Sequence, residues 1–219
     1  MSNFKTALFA QFAQVAKAMS SFNRLIIIEF LAQREHSVED LANMMEISVA
    51  NTSHHLQQLR HAGLVASRKE GQHVFYRLSG GDVVELMTSL RSVAERHSAE
   101  VDQLVNTYLT RKDNMEPISR DKLMERVKEG SVTVLDVRPP GEYAAGHLPG
   151  AINIPLAHLK KHLAEFDPGQ EIIAYCRGPY CVLAFEAVNL LRRKGLKARR
   201  LEDGYPEWRQ SGLSVEFAK

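Results

Sequence analysis

The sequence predicts two domains: a mainly α-helical domain that contains a β-hairpin, followed by an α/β domain with a parallel sheet. Through residues 1–110, apolar residues recur at helical spacing and are interrupted by a single pair of short β-like runs. From residue 118 onward, strands and helices alternate, as is typical of a mostly parallel sheet covered on both faces. The polar segment between them ends in a proline, so the sequence predicts domains at 1–110 and 118–219 joined by a linker at 111–117.

The first domain is predicted to hold four shorter helices, a hairpin and one long helix. The helices cover residues 4–19, 23–34, 37–45 and 48–61, and apolar residues at every third or fourth position extend the long helix over 82–109. Ser37, with Asp40 three residues later, and Ser48 are expected N-caps, and Gly63 is an expected C′ glycine. Strands are predicted at 64–68 and 74–78 around a turn at Glu70-Gly71-Gln72.

Two helices joined by a tight turn and followed by a hairpin make a winged helix-turn-helix, whose second helix enters the DNA major groove. Thr52, Leu56 and Leu59 fall on the buried side of that helix. The polar residues expected to contact bases or phosphates are Ser48, Asn51, Ser53, His54, Gln57 and Gln58. In the hairpin, the expected contacts to DNA are Arg68, Lys69, Gln72 and His73. Four basic residues and one acidic residue lie in 49–78, which favours DNA but also occurs on solvated faces.

A specific motif runs through this region: Ser53-His54-His55-Leu56, then Ala62-Gly63-Leu64-Val65, then Phe75-Tyr76-Arg77-Leu78. Over residues 22–80 the chain resembles the ArsR/SmtB repressors. The resemblance implies a homodimer that pairs through its first and last helices and binds double-stranded DNA at a palindromic operator. The alternative is a winged helix that only mediates protein contacts.

The sequence departs from that family where many members sense metals or thiol-reactive species. The first helix of the helix-turn-helix, residues 38–45, contains no cysteine. His97 and Glu100 match one ligand pair of a second family site, but Val84 and Leu86 stand where the other pair is expected. We therefore expect no metal and no cofactor, and we expect His97 to be an interface residue.

The second domain is predicted to alternate regularly between helix and strand. Helices are expected at 120–129, 142–145, 156–165, 182–194 and 205–211, and strands at 132–136, 151–154, 171–175 and 198–201. Strand 171–175 leads directly into Cys176-Arg177-Gly178-Pro179-Tyr180-Cys181, which holds both cysteines of the chain. Two thiols so close together, with none elsewhere, indicate chemistry rather than a disulfide framework.

The position of Cys176 predicts a reactive thiol. Backbone N–H groups of the loop and the positive end of the following helix favour the thiolate, so the pKa of Cys176 is expected to be depressed. Arg177 is expected to add a nearby cation. Gly178 is expected to permit unusual backbone angles, and Pro179 to stiffen the loop.

Further motifs flank the cysteine loop. Leu135-Asp136-Val137-Arg138 and Gly146-His147-Leu148-Pro149-Gly150 precede it, and Leu201-Glu202-Asp203-Gly204 with Trp208 follows it. Residues 118–215 resemble rhodanese domains, although the usual Gly-Gly of the last motif reads Asp203-Gly204 here. The resemblance implies a rhodanese fold in which the loop cysteine carries a sulfane sulfur as a persulfide. The loop has six residues, the length found in sulfur-transferring members, whereas related phosphatases have seven.

The remaining site residues receive separate expectations. Cys181 either attacks the Cys176 persulfide or packs as a small apolar residue at the start of the helix. Asp136 helps to position the loop, and Arg138 and Glu142 support the fold through an ion pair or hydrogen bonds. His147 is expected to be a structural turn residue and Trp208 a core residue.

The sequence thus predicts a cytoplasmic, homodimeric DNA-binding transcriptional repressor that responds to reactive sulfur species through persulfidation of Cys176. Its small-molecule partners are polysulfide, persulfide or thiosulfate, and no apolar run approaches the length of a membrane span. One alternative is a sulfurtransferase enzyme with an accessory winged-helix domain. Another is a metal- or arsenic-responsive repressor with an inert rhodanese domain.

Overall fold

A computed structural model describes residues 3–110 and 116–218 of the chain. These residues divide between Leu86 and Met87 into two compact units. Most of the predicted linker at 111–117, namely residues 111–115, lies outside the described residues.

The first unit is a winged helix-turn-helix, as the sequence predicts. A three-stranded antiparallel sheet of order β1-β3-β2 accompanies the helices. The elements are α1 (Asn3–Met19), α2 (Phe22–Gln33), β1 (His36–Ser37), α3 (Val38–Met45), α4 (Val49–His61), β2 (Val65–Glu70), β3 (His73–Leu78) and the beginning of α5 (Asp82–His97). The two-residue strand β1 has no signal of its own in the sequence, because the strand that it pairs with, β3, lies about forty positions later.

The predicted caps of the two central helices are confirmed. The Ser37 hydroxyl accepts a hydrogen bond from the Asp40 backbone N–H at 3.0 Å, and the Ser48 hydroxyl accepts one from Asn51 at 3.2 Å. Gly63 follows the end of α4 with φ of 75°, a conformation that glycine adopts without strain. Local sequence therefore sets the start of α3 and both ends of α4.

The prediction of one long helix over 82–109 is wrong. Helix α5 ends at His97, and Ser98 has an extended backbone with φ of −115° and ψ of 111°. The Ser98 hydroxyl donates to the Glu100 carboxylate at 2.9 Å, a local bond of the kind that competes with helical structure. Helix α6 (Ala99–Val105) and a π-helical turn (Asn106–Thr110) follow.

The second unit contains a parallel sheet of order β5-β4-β6-β7, as predicted. Besides the rest of α5 and α6, its elements are α7 (Arg120–Lys128), β4 (Val132–Asp136), α8 (Pro140–Ala144), β5 (Ile152–Asn153), α9 (Leu156–Leu159), a 3₁₀ turn (Leu163–Glu165), β6 (Glu171–Tyr175), α10 (Val182–Arg193), β7 (Ala198–Arg200) and α11 (Tyr205–Gln210). The helix predicted at 156–165 is divided because Lys161 and His162 donate to carbonyls three residues back, which tightens the chain.

Both faces of this sheet are buried. Leu135, Ile172 and Ala174 pack into a core with α9 and α10 on one face. Val134, Ile173 and Tyr175 pack on the other face against residues of α7 and α11. Successive residues of β4 and β6 thus alternate between two cores, and the carboxyl ends of both strands meet at one edge. That edge carries the cysteine loop, which follows β6.

Candidate functional site

The cysteine loop, residues 176–181, connects β6 to α10 and has both sulfurs on its inner side. Cys176 is buried, and Cys181 is partly buried against the same core as Cys176 at the N-cap position of α10. The two sulfurs are joined as a disulfide, with a Cα–Cα separation of 6.1 Å. That separation lies within the usual range for disulfides, so the loop backbone already suits a bond between these residues.

The loop is held by neighbouring backbone. The Tyr205 N–H donates to the Cys176 carbonyl at 3.1 Å, and the Cys181 N–H donates to the Gly178 carbonyl at 3.1 Å. A Cβ atom at Gly204 would lie 2.5 Å from the Arg177 carbonyl carbon and closer still to the Gly178 nitrogen. The loop therefore requires glycine at 204.

The departure from Gly-Gly at 203 is accommodated. The Asp203 carboxylate lies 2.8 Å from Arg120 Nε and forms an ion pair with it. The side chain at 203 therefore has a partner outside the close backbone contact made by Gly204. The sequence motif contains Gly204, but the contact that makes glycine necessary depends on how residues 201–208 pack against the loop.

The expectation for Gly178 is wrong. Gly178 does not have a positive φ, and a Cβ atom there would meet only Glu207 Oε1 at 3.9 Å, which is ordinary contact. The loop therefore follows backbone angles that other residues also adopt, because the tight position lies on the opposing segment at Gly204.

The charge of Arg177 is balanced by Glu142. Arg177 Nε donates to both Glu142 oxygens at 2.9 and 3.0 Å, and Nη2 donates to Oε1 at 2.6 Å. Glu142 is almost fully buried, so this pair is held inside the domain. The cation expected to act on Cys176 is thus largely neutralised by a carboxylate, while α10 begins directly after the loop.

Asp136 forms a buried network with the residue that precedes Cys176. Its carboxylate accepts from Arg138 Nη2 at 2.6 Å and from the Tyr175 hydroxyl at 2.5 Å. Burial, together with the nearby Asp136 charge, raises the pKa of Tyr175 far above its ordinary value, so the phenol remains a donor. Arg138 and Glu142 do form ion pairs, as expected: Arg138 pairs with Asp136, and Glu142 pairs with Arg177.

Tyr180, which sequence reasoning did not single out, is the loop residue with an acidic partner on α5. Its hydroxyl donates to the Glu95 carboxylate. Burial first, and then the bond to Glu95, raise the pKa of Tyr180 to about 12. No local pattern could have revealed this pair, because its members lie 85 positions apart.

His147 and Trp208 occupy structural positions, as expected. His147 Nδ1 lies 2.9 Å from the Tyr143 carbonyl oxygen, and its ring stacks on the Tyr143 ring. The Trp208 indole N–H donates to the Ser214 carbonyl at 2.9 Å, and its ring is buried in the core.

Helix α4 has the two faces that the sequence predicts. Thr52, Leu56 and Leu59 are fully buried. Ser48, Asn51, His54, Gln57 and Gln58 are exposed, and Ser53 is half-buried. The structure therefore brings the predicted base-contacting residues to the outer side of one helix.

The hairpin formed by β2 and β3 carries the four predicted wing residues at exposed positions. Arg68, Lys69, Gln72 and His73 are all solvent-accessible. Arg68 is bonded to both Glu35, at 2.9 Å, and Glu70, so its charge is already partly engaged. His73 Nδ1 lies 3.7 Å from the Glu39 carboxylate. Lys69, near the end of β2, and Gln72, in the turn, are exposed to solvent at the tip of the hairpin.

Neither a metal-binding cluster nor a helix that could span a membrane is found in residues 3–110 and 116–218. Within these ranges, no group of three or more histidine, cysteine, aspartate or glutamate side chains is arranged to hold a metal ion, and His97 is exposed. None of the helices described there is both long enough and apolar enough to cross a membrane.

Comparison with known families agrees with both halves of the structure. Residues 22–67 match the bacterial regulatory protein, arsR family, and residues 119–211 match the rhodanese-like domain. The HTH-type transcriptional regulator Rv0324 of Mycobacterium tuberculosis is 43% identical over 215 residues, which cover 98% of this chain and 94% of that protein.

Solved structures resemble the two halves separately. A homodimeric winged helix-turn-helix DNA-binding domain, a fragment of a possible ArsR-family regulator from Mycobacterium bovis, is 38% identical, with a TM-score of 0.43 over 46% of this chain and 93% of its own. A rhodanese-related protein from Thermoplasma volcanium is 28% identical, with a TM-score of 0.43 over 48% of this chain and 100% of its own.

The winged helix-turn-helix of the first unit and the α/β fold with its cysteine loop in the second together define a transcriptional regulator that carries a rhodanese-like domain. The chain belongs to the ArsR family of HTH-type transcriptional regulators and carries a C-terminal rhodanese-like domain.

Proposed function

We propose that this regulator is a homodimeric repressor that binds a palindromic DNA operator and responds to reactive sulfur species through Cys176. The observation that carries the proposal is the placement of the thiols. Both cysteines of the chain lie in the rhodanese-type loop, where their sulfurs are joined, and α3 of the helix-turn-helix contains none. A sensor that uses thiol chemistry must therefore use this loop.

The chemistry begins with the reduced loop. The Cys176 thiolate attacks a sulfane sulfur of a polysulfide, a new S–S bond forms, and the shortened polysulfide leaves with the electron pair of the broken bond. The product is a Cys176 persulfide. The Cys181 thiolate then attacks Cys176 Sγ, which releases hydrosulfide and leaves the Cys176–Cys181 disulfide. The polysulfide is the oxidant, so no other redox partner is required.

The DNA-binding part of the proposal rests on helix α4 and the wing. The outer side of α4 presents Asn51, His54 and Gln57, whose amide and ring groups can bond base edges. Lys69 and Gln72 are exposed on the wing, and their side chains can bond the phosphate backbone. A homodimer would present two such helices to the two halves of a palindrome, and this function belongs in the cytoplasm, where the DNA is.

An electrophoretic mobility-shift assay with the reduced full-length protein tests the proposal. Polysulfide should change the operator affinity of the wild type by roughly 5–150-fold, the usual range for coupled sites. Cys176→Ser should bind the operator and ignore polysulfide. Cys181→Ser should accumulate a stable persulfide, seen as a gain of one sulfur by mass spectrometry. An unchanged wild-type affinity, or a normal response of Cys176→Ser, would contradict the proposal.

The loop also supports a second candidate, a sulfurtransferase with an accessory winged helix. It is favoured by the six-residue length of the loop and by the position of Cys176 between β6 and α10. Rapid transfer of sulfur from thiosulfate to cyanide, without binding to a specific DNA site, would identify this function instead.

A further inference from the structure

Two charged side chains of α5, both in the second unit, bond residues at the sulfur site: Glu95 bonds the cysteine loop, and Arg91 bonds Glu207 on α11. The Tyr180 hydroxyl donates to Glu95, and Arg91 Nη1 donates to Glu207 Oε1 at 3.0 Å. Arg91 Nε lies 3.7 Å from the Glu95 carboxylate. These four side chains, which we call the α5–loop network, therefore form a continuous chain of Glu207, Arg91, Glu95 and Tyr180.

One end of the α5–loop network is a loop residue, and the other end reaches the loop through Gly204. Tyr180 is a loop residue and directly precedes Cys181. At the other end, Glu207 Oε2 accepts from the Gly204 N–H at 3.2 Å, and Gly204 packs on the backbone of Arg177 and Gly178. Because Arg91 and Glu95 are one helical turn apart, they lie on the same face of α5. Glu95 bonds the loop directly, and Arg91 bonds Glu207, which in turn holds Gly204 against the loop.

The opposite side of α5 carries a different surface. Leu90 and Val93 are 43% and 58% exposed, whereas the Arg91 side chain is only 24% exposed. At about 100° per residue, Arg91 and Glu95 point well away from the Leu90–Val93 side. One helix therefore offers an apolar side to solvent and a polar side to the sulfur site.

We propose that Arg91 and Glu95 are positioning residues of the sulfur site, and that their hold on the loop is strongest when Cys176 and Cys181 are joined. A disulfide closes a six-residue ring that includes Tyr180, so the backbone that presents the Tyr180 hydroxyl to Glu95 has little freedom left. In the dithiol, the same hydrogen bond must also order the loop. The inference rests on the proposed function in one respect: it takes the cysteine pair as the sulfur-responsive site.

The hydrogen bond and the disulfide are thermodynamically linked, so the inference can be tested by measuring the thiol–disulfide equilibrium without DNA. If the disulfide strengthens the bond between Tyr180 and Glu95, that bond must favour the disulfide by the same factor. The exchange is balanced: glutathione disulfide accepts two electrons from the two thiols and becomes two glutathione molecules, while the Cys176–Cys181 bond forms. The chain contains only these two cysteines, so thiol labelling of the full-length protein reports this equilibrium alone.

Tyr180→Phe and Glu95→Gln should each shift the equilibrium about fivefold toward the dithiol, the size expected for one net hydrogen bond. The double variant should shift it no further, because both substitutions remove the same bond. Arg91→Gln should shift it in the same direction. The matched controls Arg96→Gln and Glu100→Gln, whose side chains bond Ser92 and Ser98 instead, should leave it unchanged. Tyr180→Phe removes only a hydroxyl from a partly exposed ring, so the variant should fold and the measured shift reports the lost hydrogen bond.

The inference is overturned if Tyr180→Phe and Glu95→Gln behave like the controls, or if their effects simply add in the double variant. Its test does not use operator binding, so its failure can be told apart from failure of the proposed function. If polysulfide does not change operator binding by the wild type, but the variants shift the thiol–disulfide equilibrium, only the proposed function is contradicted. If polysulfide changes operator binding by the wild type, but the variants leave the thiol–disulfide equilibrium unchanged, only the role of Arg91 and Glu95 is contradicted.

Discussion

Gly204 contacts the cysteine loop more closely than any side chain would allow. A Cβ atom there would meet the backbone of Arg177 and Gly178, neither of which can rotate away as a long side chain can. Gly178, on the other side of the contact, has ordinary space beside it. Of the two glycines that face each other here, steric contact therefore requires only Gly204.

Gly204→Ala should displace the loop and cost about 1–3 kcal/mol of unfolding free energy, as overpacking of a close contact does. Urea denaturation measures this cost, and mass spectrometry after polysulfide treatment measures sulfur uptake on Cys176, which should fall. Gly178→Ala is the control and should change both quantities little. Equal losses in the two variants would show that the close contact at 204 is not what holds the loop.

At the scale of elements, a buried charge network joins the carboxyl ends of β4 and β6. Asp136 and Arg138 have no exposed side-chain surface, and Tyr175 completes the network one residue before Cys176. A buried ion pair adds modest net stability, but removing one partner leaves an uncompensated charge. The network therefore fixes the strand end from which the cysteine loop starts.

Asp136→Asn should lower the free energy of unfolding by about 3–5 kcal/mol, because Arg138 remains charged and buried without its carboxylate. Denaturation in urea at neutral pH provides the measurement. The control is Asp203→Asn, which breaks the partly exposed pair with Arg120 and should cost only about 0–1 kcal/mol. A small cost for Asp136→Asn would mean that Arg138 finds other compensation.

At the scale of the whole molecule, two helices carry large apolar side chains that the monomer leaves exposed. On α1 these include Phe9 and Phe12, both 57% exposed, and on α5 they include Leu90 and Val93. Exposed apolar surface of this kind marks an interaction site. A second copy of the chain, as expected from the first and last helices of the DNA-binding domain, would bury it.

Phe12→Glu and Val93→Glu should each shift the protein toward monomer, because a carboxylate buried in an apolar interface is costly. Sedimentation velocity measures the oligomeric state, and operator affinity should fall together with dimerisation. Val127→Glu on α7, at a position 40% exposed in the second domain, is the matched control and should remain dimeric. If Val93→Glu remains dimeric, α5 is not part of the dimer interface.

Much of the architecture follows from local sequence. The bounds of β4 and β6 agree with the prediction, since short apolar runs rich in β-branched residues favour strands. Ser37, Ser48 and Gly63 set helix ends through bonds and backbone angles that involve neighbouring residues. The break at Ser98 was not predicted, because the apolar spacing continues through it while the backbone does not.

The sequence by itself determined the two fold types, the faces of α4, and a six-residue loop with both thiols between β6 and α10. Only the tertiary structure decided the partners inside the site. Arg177 binds Glu142 across 35 positions, Tyr175 binds Asp136 across 39, and Tyr180 binds Glu95 across 85. The physical reason is that periodicity and capping act within a few residues, whereas a buried charge takes whichever partner the packing of distant elements places beside it.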